Sequence, residues 1–231
     1  MGILVIGIVI FIISMAVSNR LKNKFKKYSQ VQLERNFSGA EVAKLMLADH
    51  GIDNVQVVSV DGELTDHYNP VNKTINLSVA VYNGRNAAAA AVAAHETGHA
   101  VQHAKSYSML QLRSSLVPVQ NASARIMNII FMAMLFGAFM LPSFLPWNLA
   151  LLIIIGCYTV FTLFAFITLP VEFDASKRAL AWINERGIVN SKENDMAKDA
   201  LKWAAMTYVV AALGSLVTLL YYVAMFAGGD D

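Results

Sequence analysis

The sequence predicts an α-helical multi-span membrane protein that carries a small α+β domain on the cytosolic side. Of its 231 residues, 56% are hydrophobic and only 15% are charged, whereas soluble domains are about 25% charged. Four long stretches contain no charged residue and no histidine, and the segment between the first two mixes helix and strand patterns. This composition excludes fibrous and disordered proteins, and a single cysteine excludes a disulfide-built secreted scaffold.

The four apolar stretches predict about four transmembrane helices. The first is interpreted as a retained anchor, because its basic residues follow the apolar run instead of preceding it as in a cleaved signal peptide. The second and third predict a helical hairpin that turns around Pro146-Trp147-Asn148. The stretches are Gly2–Val17, Ile129–Leu145, Leu149–Leu169 and Ala204–Ala227.

These spans predict the domain organisation and the topology. All 18 Lys and Arg residues fall in two segments between spans, which the positive-inside rule places in the cytosol. We therefore expect a multi-pass protein of the cell (inner) membrane with its amino terminus outside. The net charge of +2 gives no indication of nucleic-acid binding, and the lipid bilayer accounts for the basic cluster after the first span. The expected units are transmembrane helix 1 (2–17), a cytosolic α+β domain (18–128), a transmembrane hairpin of helices 2 and 3 (129–169), a cytosolic segment (170–203) and transmembrane helix 4 (204–227).

Within residues 18–128, the patterns predict two helices and two strands in a small α+β arrangement. A capping box at Ser38 and Glu41 begins the first helix, and Gly51 is a plausible stop. The β-branched run 55–60 ends at Asp61-Gly62, a dipeptide typical of hairpins. The second strand is predicted over Lys73–Val81 and is closed by Asn83-Gly84, and the second helix runs from Asn86 to about Lys105.

The residues capable of catalysis are concentrated in His95-Glu96-Thr97-Gly98-His99. On a helix, His95 and His99 lie one turn apart on one face and can bind a single Zn²⁺ through neutral imidazoles. Glu96 follows the first histidine, where it can accept a proton from a water that the metal activates. A chance match is the competing interpretation, but two histidines and a carboxylate in an otherwise apolar helix are costly without a metal. The pattern therefore predicts a zincin-like domain with zinc as its cofactor.

Catalytic zinc of this kind takes a third protein ligand and keeps one position open for water. The metzincin continuation is absent, because Gln102 and Lys105 stand where that class has glycine and histidine. His103 lies eight residues after His95 and is expected at the surface or behind a ligand. The loop-like His50 and His67 are weaker candidates still.

Two carboxylates, Glu172 and Asp174, remain as the strong candidates for the third ligand. They follow the third predicted span, at the membrane face that also carries the histidine helix. Glu172 is favoured because it completes a set of two histidines and one glutamate. A compatible interpretation is that Glu172 lies at a helix N-terminus just after Pro170 and is stabilised there by the helix dipole.

Several segments together resemble the membrane-anchored neutral zinc metallopeptidases of bacteria: Asp66-His67-Tyr68-Asn69-Pro70, the strand and turn at Leu77–Asn83, AAHETGHAVQH, and EFDAS. More distantly, the chain is similar to heat-shock membrane metalloproteases and CAAX-prenyl proteases, which pair HExxH with a downstream Glu-x-x-Ala-Asp. This resemblance implies that Glu172 is the third zinc ligand, and Ala175 also matches. Ser176 departs from the pattern, because it replaces the final aspartate. The resemblance implies zinc-dependent proteolysis at the cytosolic membrane surface.

The expected mechanism has zinc held by His95, His99 and Glu172, with Glu96 as the general base. The expected partner is a peptide or protein substrate, which could be membrane-associated. The strand near Leu77–Val81 could bind it by edge pairing. Two alternative functions stay open: an intramembrane site-2-type protease, and a catalytically silent zinc-binding membrane scaffold. Candidates for the stabiliser of the oxyanion are Tyr68, His67 and Arg178.

Overall fold

The computed structural model describes residues 2–136 and 146–229. Seven helices and three strands are present in this part of the chain. In chain order they are α1 (Gly2–Tyr28), α2 (Gly39–Asp49), β1 (Gln56–Val60), β2 (His67–Asn69), β3 (Thr74–Ser78), α3 (Val79–Asn83), α4 (Ala87–Ala104), α5 (Ser108–Phe136), α6 (Trp147–Glu185) and α7 (Ser191–Ala227).

Three of the described helices, α1, α6 and α7, are long and apolar enough to cross a membrane. They contain the first, third and fourth predicted spans. The second predicted span, Ile129–Leu145, lies only partly within the described residues, where α5 ends at Phe136. The described chain therefore gives three candidate spans rather than four. The predicted turn at Pro146-Trp147-Asn148 lies within the described residues, but Trp147 and Asn148 already belong to α6, which begins at Trp147.

Helix α6 continues through Pro170 for 39 residues, which corrects the expectation that a new helix begins there. Proline lacks a backbone N–H and disfavours the helix interior, but apolar membrane helices tolerate it. Glu172 consequently lies in the middle of a continuous helix, and the interpretation of it as a helix-start carboxylate was wrong. The segment 170–203 contains the second half of α6 and the first part of α7.

The described residues form two compact units. One contains the described residues of Met1–Ser14, Leu112–Leu169 and Tyr208–Asp231, and is dominated by apolar helix segments. The other contains Met15–Gln111 and Pro170–Thr207, and therefore includes all three strands and α4. The predicted α+β domain is thus completed by residues from far along the chain.

The sheet has the strand order β1-β3-β2, with β3 parallel to β1 and antiparallel to β2. Because β1 pairs in parallel with β3, Asp61-Gly62 does not form the predicted hairpin between them. The predicted strand 73–81 was too long, since β3 ends at Ser78 and α3 follows. The Asp66 carboxylate accepts hydrogen bonds from the backbone N–H and the hydroxyl of Ser78, which satisfies the donor at the end of the strand.

The helix predictions in this unit are confirmed. Ser38 caps α2 with the reciprocal capping box to Glu41, and Gly51 follows the helix at φ +65°. Asn86 caps α4 by accepting a hydrogen bond from the backbone N–H of Ala89. The alanines that begin α4 are fully buried, so their small side chains let α2 and α3 pack closely against this helix. This packing fixes the position of the helix that carries the histidines.

Candidate metal centre

The structure brings His95, His99 and Glu172 together. The two histidines lie one turn apart on α4, and Glu172 is contributed by α6. Glu172 Oε2 lies 3.3 Å from His95 Nε2 and 3.5 Å from His99 Nε2. One ligand atom from each residue falls within 4.8 Å of the others. The three side chains predicted from the sequence thus form one compact group that could hold a metal ion.

A small residue on each helix permits this approach. A Cβ atom added to Gly98 would lie 2.8 Å from the backbone oxygen of Ala175, which is closer than side chains tolerate. Ala175 itself is fully buried. Gly98, in the middle of the histidine motif, is therefore the point at which α4 contacts the backbone of α6. This contact explains how a glutamate 73 positions beyond His99 in the sequence reaches the histidines.

The donor set fits zinc. Glu172 is only 3% exposed, and its Oε2 atom is buried without a hydrogen-bond partner among the described residues. A buried carboxylate oxygen in that state is costly, although it faces two imidazole nitrogens. Two imidazole nitrogens and one carboxylate oxygen are the protein ligands of a common class of catalytic zinc site. A cation bound among them would satisfy the unpaired oxygen.

The electrostatics of the group favour an ionised glutamate. Burial opposes ionisation of Glu172, but the adjacent His95 and His99 hold the pKa of its carboxyl below the ordinary value. Burial alone would lower the pKa of His99, but the neighbouring Glu172 carboxylate has the larger combined effect, so the pKa of His99 is raised above its ordinary value. The negative charge of Glu172 is thus available to a cation.

Hydrogen bonds behind the ring nitrogens orient both histidines. His99 Nδ1 donates to Gln102 Oε1 at 3.0 Å, and the Gln102 amide donates at 2.8 Å to the Val171 carbonyl and at 2.8 Å to Asp174 Oδ2. Gln102 is fully buried. Such bonds direct the opposite nitrogen, Nε2, toward a metal and set its tautomer. The amide therefore links one histidine to the helix that carries Glu172.

Ser176 performs the corresponding role for the other histidine. Its Oγ lies 3.1 Å from His95 Nδ1. A serine hydroxyl can accept the N–H of this ring as an aspartate would, although without the negative charge. The departure from the Glu-x-x-Ala-Asp pattern thus preserves a hydrogen bond to the histidine.

Glu96 is held apart from the three-residue group. Its Oε2 accepts a hydrogen bond of 3.1 Å from the backbone N–H of Tyr68 in the edge strand β2. The Glu96 carboxylate is thus anchored to the strand, and its negative charge contributes to raising the pKa of His99. The predicted strand for edge pairing, Leu77–Val81, does not fit: β3 is the middle strand and residues 79–81 are helical.

The structure does not bring the other sequence candidates into the group. Asp174 pairs with Arg178 at 2.5 Å and accepts from Gln102, and so supports the site from behind. His103 is exposed and its Nδ1 lies 2.8 Å from the Tyr68 hydroxyl. The remaining two histidines, His50 and His67, contact backbone carbonyls through Nδ1.

Sequence reasoning missed Gln102 and Gly98 as parts of the site. Gln102 was used only to exclude the metzincin pattern. A signal was present, because a buried amide three residues after His99 lies on the same helix face as the ligand. Gly98 carried no comparable signal, since its partner Ala175 lies on a distant helix.

Comparison with known proteins gives two matches that extend over most of the chain. A family model described as "Putative neutral zinc metallopeptidase" matches residues 3–227. The chain is 39% identical over 212 residues to the "Putative membrane protease YugP" of Bacillus subtilis (strain 168), an alignment that covers 92% of this chain and 91% of the relative. No solved structure matches the chain significantly.

Proposed function

Because the chain belongs to the neutral zinc metallopeptidase family, we propose that it hydrolyses peptide bonds at the cytosolic surface of the cell membrane. In this proposal His95, His99 and Glu172 hold zinc, and Glu96 is the general base. The substrates are peptides or proteins, including those associated with the membrane.

The separation of the two carboxylates carries this proposal. Glu172 Oε2 lies beside both Nε2 atoms, whereas Glu96 is bound by the Tyr68 backbone N–H. One carboxylate is therefore suited to ligate a metal and the other to transfer protons. A structural zinc site would normally be closed by four protein ligands, while a catalytic site keeps three.

Zinc, when bound, supplies the positive charge that polarises water and the scissile carbonyl. The protein supplies orientation and proton transfer. Gln102 and Ser176 orient the histidines, and Glu96 takes a proton from the attacking water and later delivers it to the leaving amine. Tyr68, whose hydroxyl pairs with His103, and His67 are the remaining candidate donors to the oxyanion, because Arg178 pairs with Asp174.

The membrane arrangement is part of the same proposal. In the proposed topology the amino terminus lies outside, and residues 18–128 and 170–203 lie in the cytosol. This topology needs the predicted span Ile129–Leu145, part of which lies outside the described residues, in addition to the three candidate spans α1, α6 and α7. Helix α4 is not among the described helices that are apolar enough to cross a membrane. This observation favours action at the membrane surface over intramembrane proteolysis.

Hydrolysis of an unstructured protein such as casein by purified full-length enzyme tests the function. We expect wild-type protein to cleave it and Glu96→Gln to lose about 10²–10⁴-fold in rate while it keeps its zinc. A variant that retains both zinc and full activity would exclude Glu96 as the base. A wild-type protein that binds zinc but cleaves no substrate would favour the silent scaffold.

A further inference from the structure

A groove between the end of α6 and the start of α7 borders the metal centre at Ser176, which lines it and also contacts His95, but none of its other lining residues takes part in the proposed chemistry. Its volume is about 550 Å³, and all of its lining residues belong to the unit that contains the sheet. We propose that this groove binds the headgroup and the first part of one acyl chain of an anionic phospholipid with a hydroxyl-bearing headgroup, such as phosphatidylglycerol. The proposal goes beyond peptide hydrolysis and rests only on the membrane location.

The groove is lined by one stripe from each of two antiparallel helices. Helix α6 ends at Glu185 and α7 begins at Ser191, so the connecting turn is short and the helices run in opposite directions. The α6 residues recur every three or four positions from Phe173 to Asn184, and the α7 residues do so from Asn194 to Met206. Helical spacing of this kind places each set on one face. Asn194 and Met206 are 12 positions apart on α7, so the groove extends roughly 18 Å at a rise of about 1.5 Å per residue.

Three lysines give the middle of the groove a positive charge. Lys177 lines it from α6, and Lys198 and Lys202 line it from α7. None of the three forms an ion pair within residues 2–136 and 146–229, and no acidic side chain is among the described lining residues. Asp174 and Asp199 interact electrostatically with Lys177 and Lys202, but each forms its ion pair with another cation, Arg178 and Lys24. The lysines are therefore available to an anion.

The two ends of the groove differ in polarity. Asn184 and Asn194 line the end near the turn, and the Asn194 Oδ1 atom is buried without a hydrogen-bond partner among the described residues. Phe173, Ala205 and Met206 line the opposite end. Along the groove, the amide oxygen can accept from a headgroup hydroxyl, the lysines can bind the phosphate, and the apolar end can contact the acyl chain. A headgroup with a terminal ammonium would instead be repelled by the lysines.

The apolar end is continuous with the apolar stretches of both helices. Ala205 and Met206 belong to the stretch Ala204–Ala227, and Phe173 lies one turn after Leu169, where the other stretch ends. An acyl chain at this end would contact apolar side chains. An acidic peptide would satisfy the lysines but would gain nothing from this end. The lipid is therefore favoured over a peptide.

The test is the binding of phosphatidylglycerol to purified full-length protein in neutral detergent, measured by native mass spectrometry. We expect saturable binding of phosphatidylglycerol and none of phosphatidylcholine. A lysine near an anionic lipid contributes about fivefold in affinity, so Lys177→Gln with Lys198→Gln and Lys202→Gln should weaken binding roughly 100-fold. The matched control removes three lysines of α1 that do not line the groove, Lys22→Gln with Lys26→Gln and Lys27→Gln, and should leave affinity within about twofold.

Further variants and competition experiments distinguish a lipid site from other anion sites. Ala181→Trp, which fills the groove at an exposed lining position without a change of charge, should also abolish lipid binding. If the triple variant does not fold, Lys177→Gln alone should weaken lipid binding by about fivefold. Equal losses in the two triple variants would overturn the proposal. Displacement of the lipid by inorganic phosphate or glycerol phosphate, or binding of an acidic peptide in place of the lipid, would do the same. The readout does not involve proteolysis, so it succeeds or fails independently of the proposed function.

Discussion

Replacement of Gln102 by leucine tests whether the buried amide orients the metal centre. Gln102 joins three partners: His99 Nδ1, the Val171 carbonyl and Asp174 Oδ2, at 3.0, 2.8 and 2.8 Å. Leucine has a similar volume and creates little cavity, but it can neither accept from His99 nor donate to α6. The change therefore removes the hydrogen bonds while it keeps the packing.

The magnitude follows from the number and burial of these bonds. Each contributes about 1 kcal/mol to the free energy of unfolding, so their loss should destabilise the fold by roughly 3 kcal/mol. His99 also loses the acceptor that sets its tautomer, and loss of such a partner weakens metal affinity by about 10- to 100-fold. Zinc affinity and stability should thus fall together, although no ligand atom is changed.

The assay is zinc titration against a competing chelator, combined with denaturant unfolding of the metal-free protein. Thr97→Val is the matched control, because Thr97 is equally buried on α4 but its hydroxyl bonds only the Ala93 carbonyl of its own helix. The control should lose about 1 kcal/mol of stability and keep the wild-type zinc affinity. Wild-type zinc affinity in Gln102→Leu would refute the reasoning about orientation.

Two further predictions concern helix packing and topology. Gly98→Ala places a methyl group against the Ala175 carbonyl, so it should lower the free energy of unfolding by about 1–3 kcal/mol and reduce the zinc content. Thermal unfolding and metal analysis measure these two quantities, and unchanged values would contradict the close helix contact. The topology is tested with single cysteines in a protein whose native cysteine is replaced. Ser191→Cys should react with a membrane-impermeant thiol reagent only from the cytosolic side, and Gly228→Cys only from outside. The reverse labelling pattern would overturn the topology.

Local signals in the sequence predicted the histidine helix well. The Asn86 cap, the buried alanines and the spacing of His95 and His99 all act within a few residues, and each is confirmed in α4. The proposed base Glu96 could likewise be selected because it adjoins a histidine. Its hydrogen bond to Tyr68 could not, because that contact depends on where strand β2 lies.

Non-local features were predicted less well. The parallel pairing of β1 with β3 is not encoded in the Asp61-Gly62 turn signal, which indicates only that the chain can reverse locally. Pro170 was assigned to a helix start because proline lacks a backbone N–H and is unfavourable in a helix interior. Its tolerance inside a long apolar helix depends on neighbouring groups that satisfy the freed carbonyl, and these are not visible in the local sequence. Glu172 was nevertheless selected, since its chemistry and its place after a span do not depend on the helix boundary.

Zinc content of Glu172→Gln, compared with Asp174→Asn and the wild type on one preparation scale, tests the central claim most directly. Glu172 supplies the carboxylate oxygen beside both imidazoles, whereas Asp174 accepts hydrogen bonds from Gln102 and Arg178 and faces neither ligand histidine. We predict about one zinc per chain in the wild type, most of it retained in Asp174→Asn, and a large loss in Glu172→Gln. Full zinc retention in Glu172→Gln, with loss in Asp174→Asn, would contradict the assignment of the third ligand.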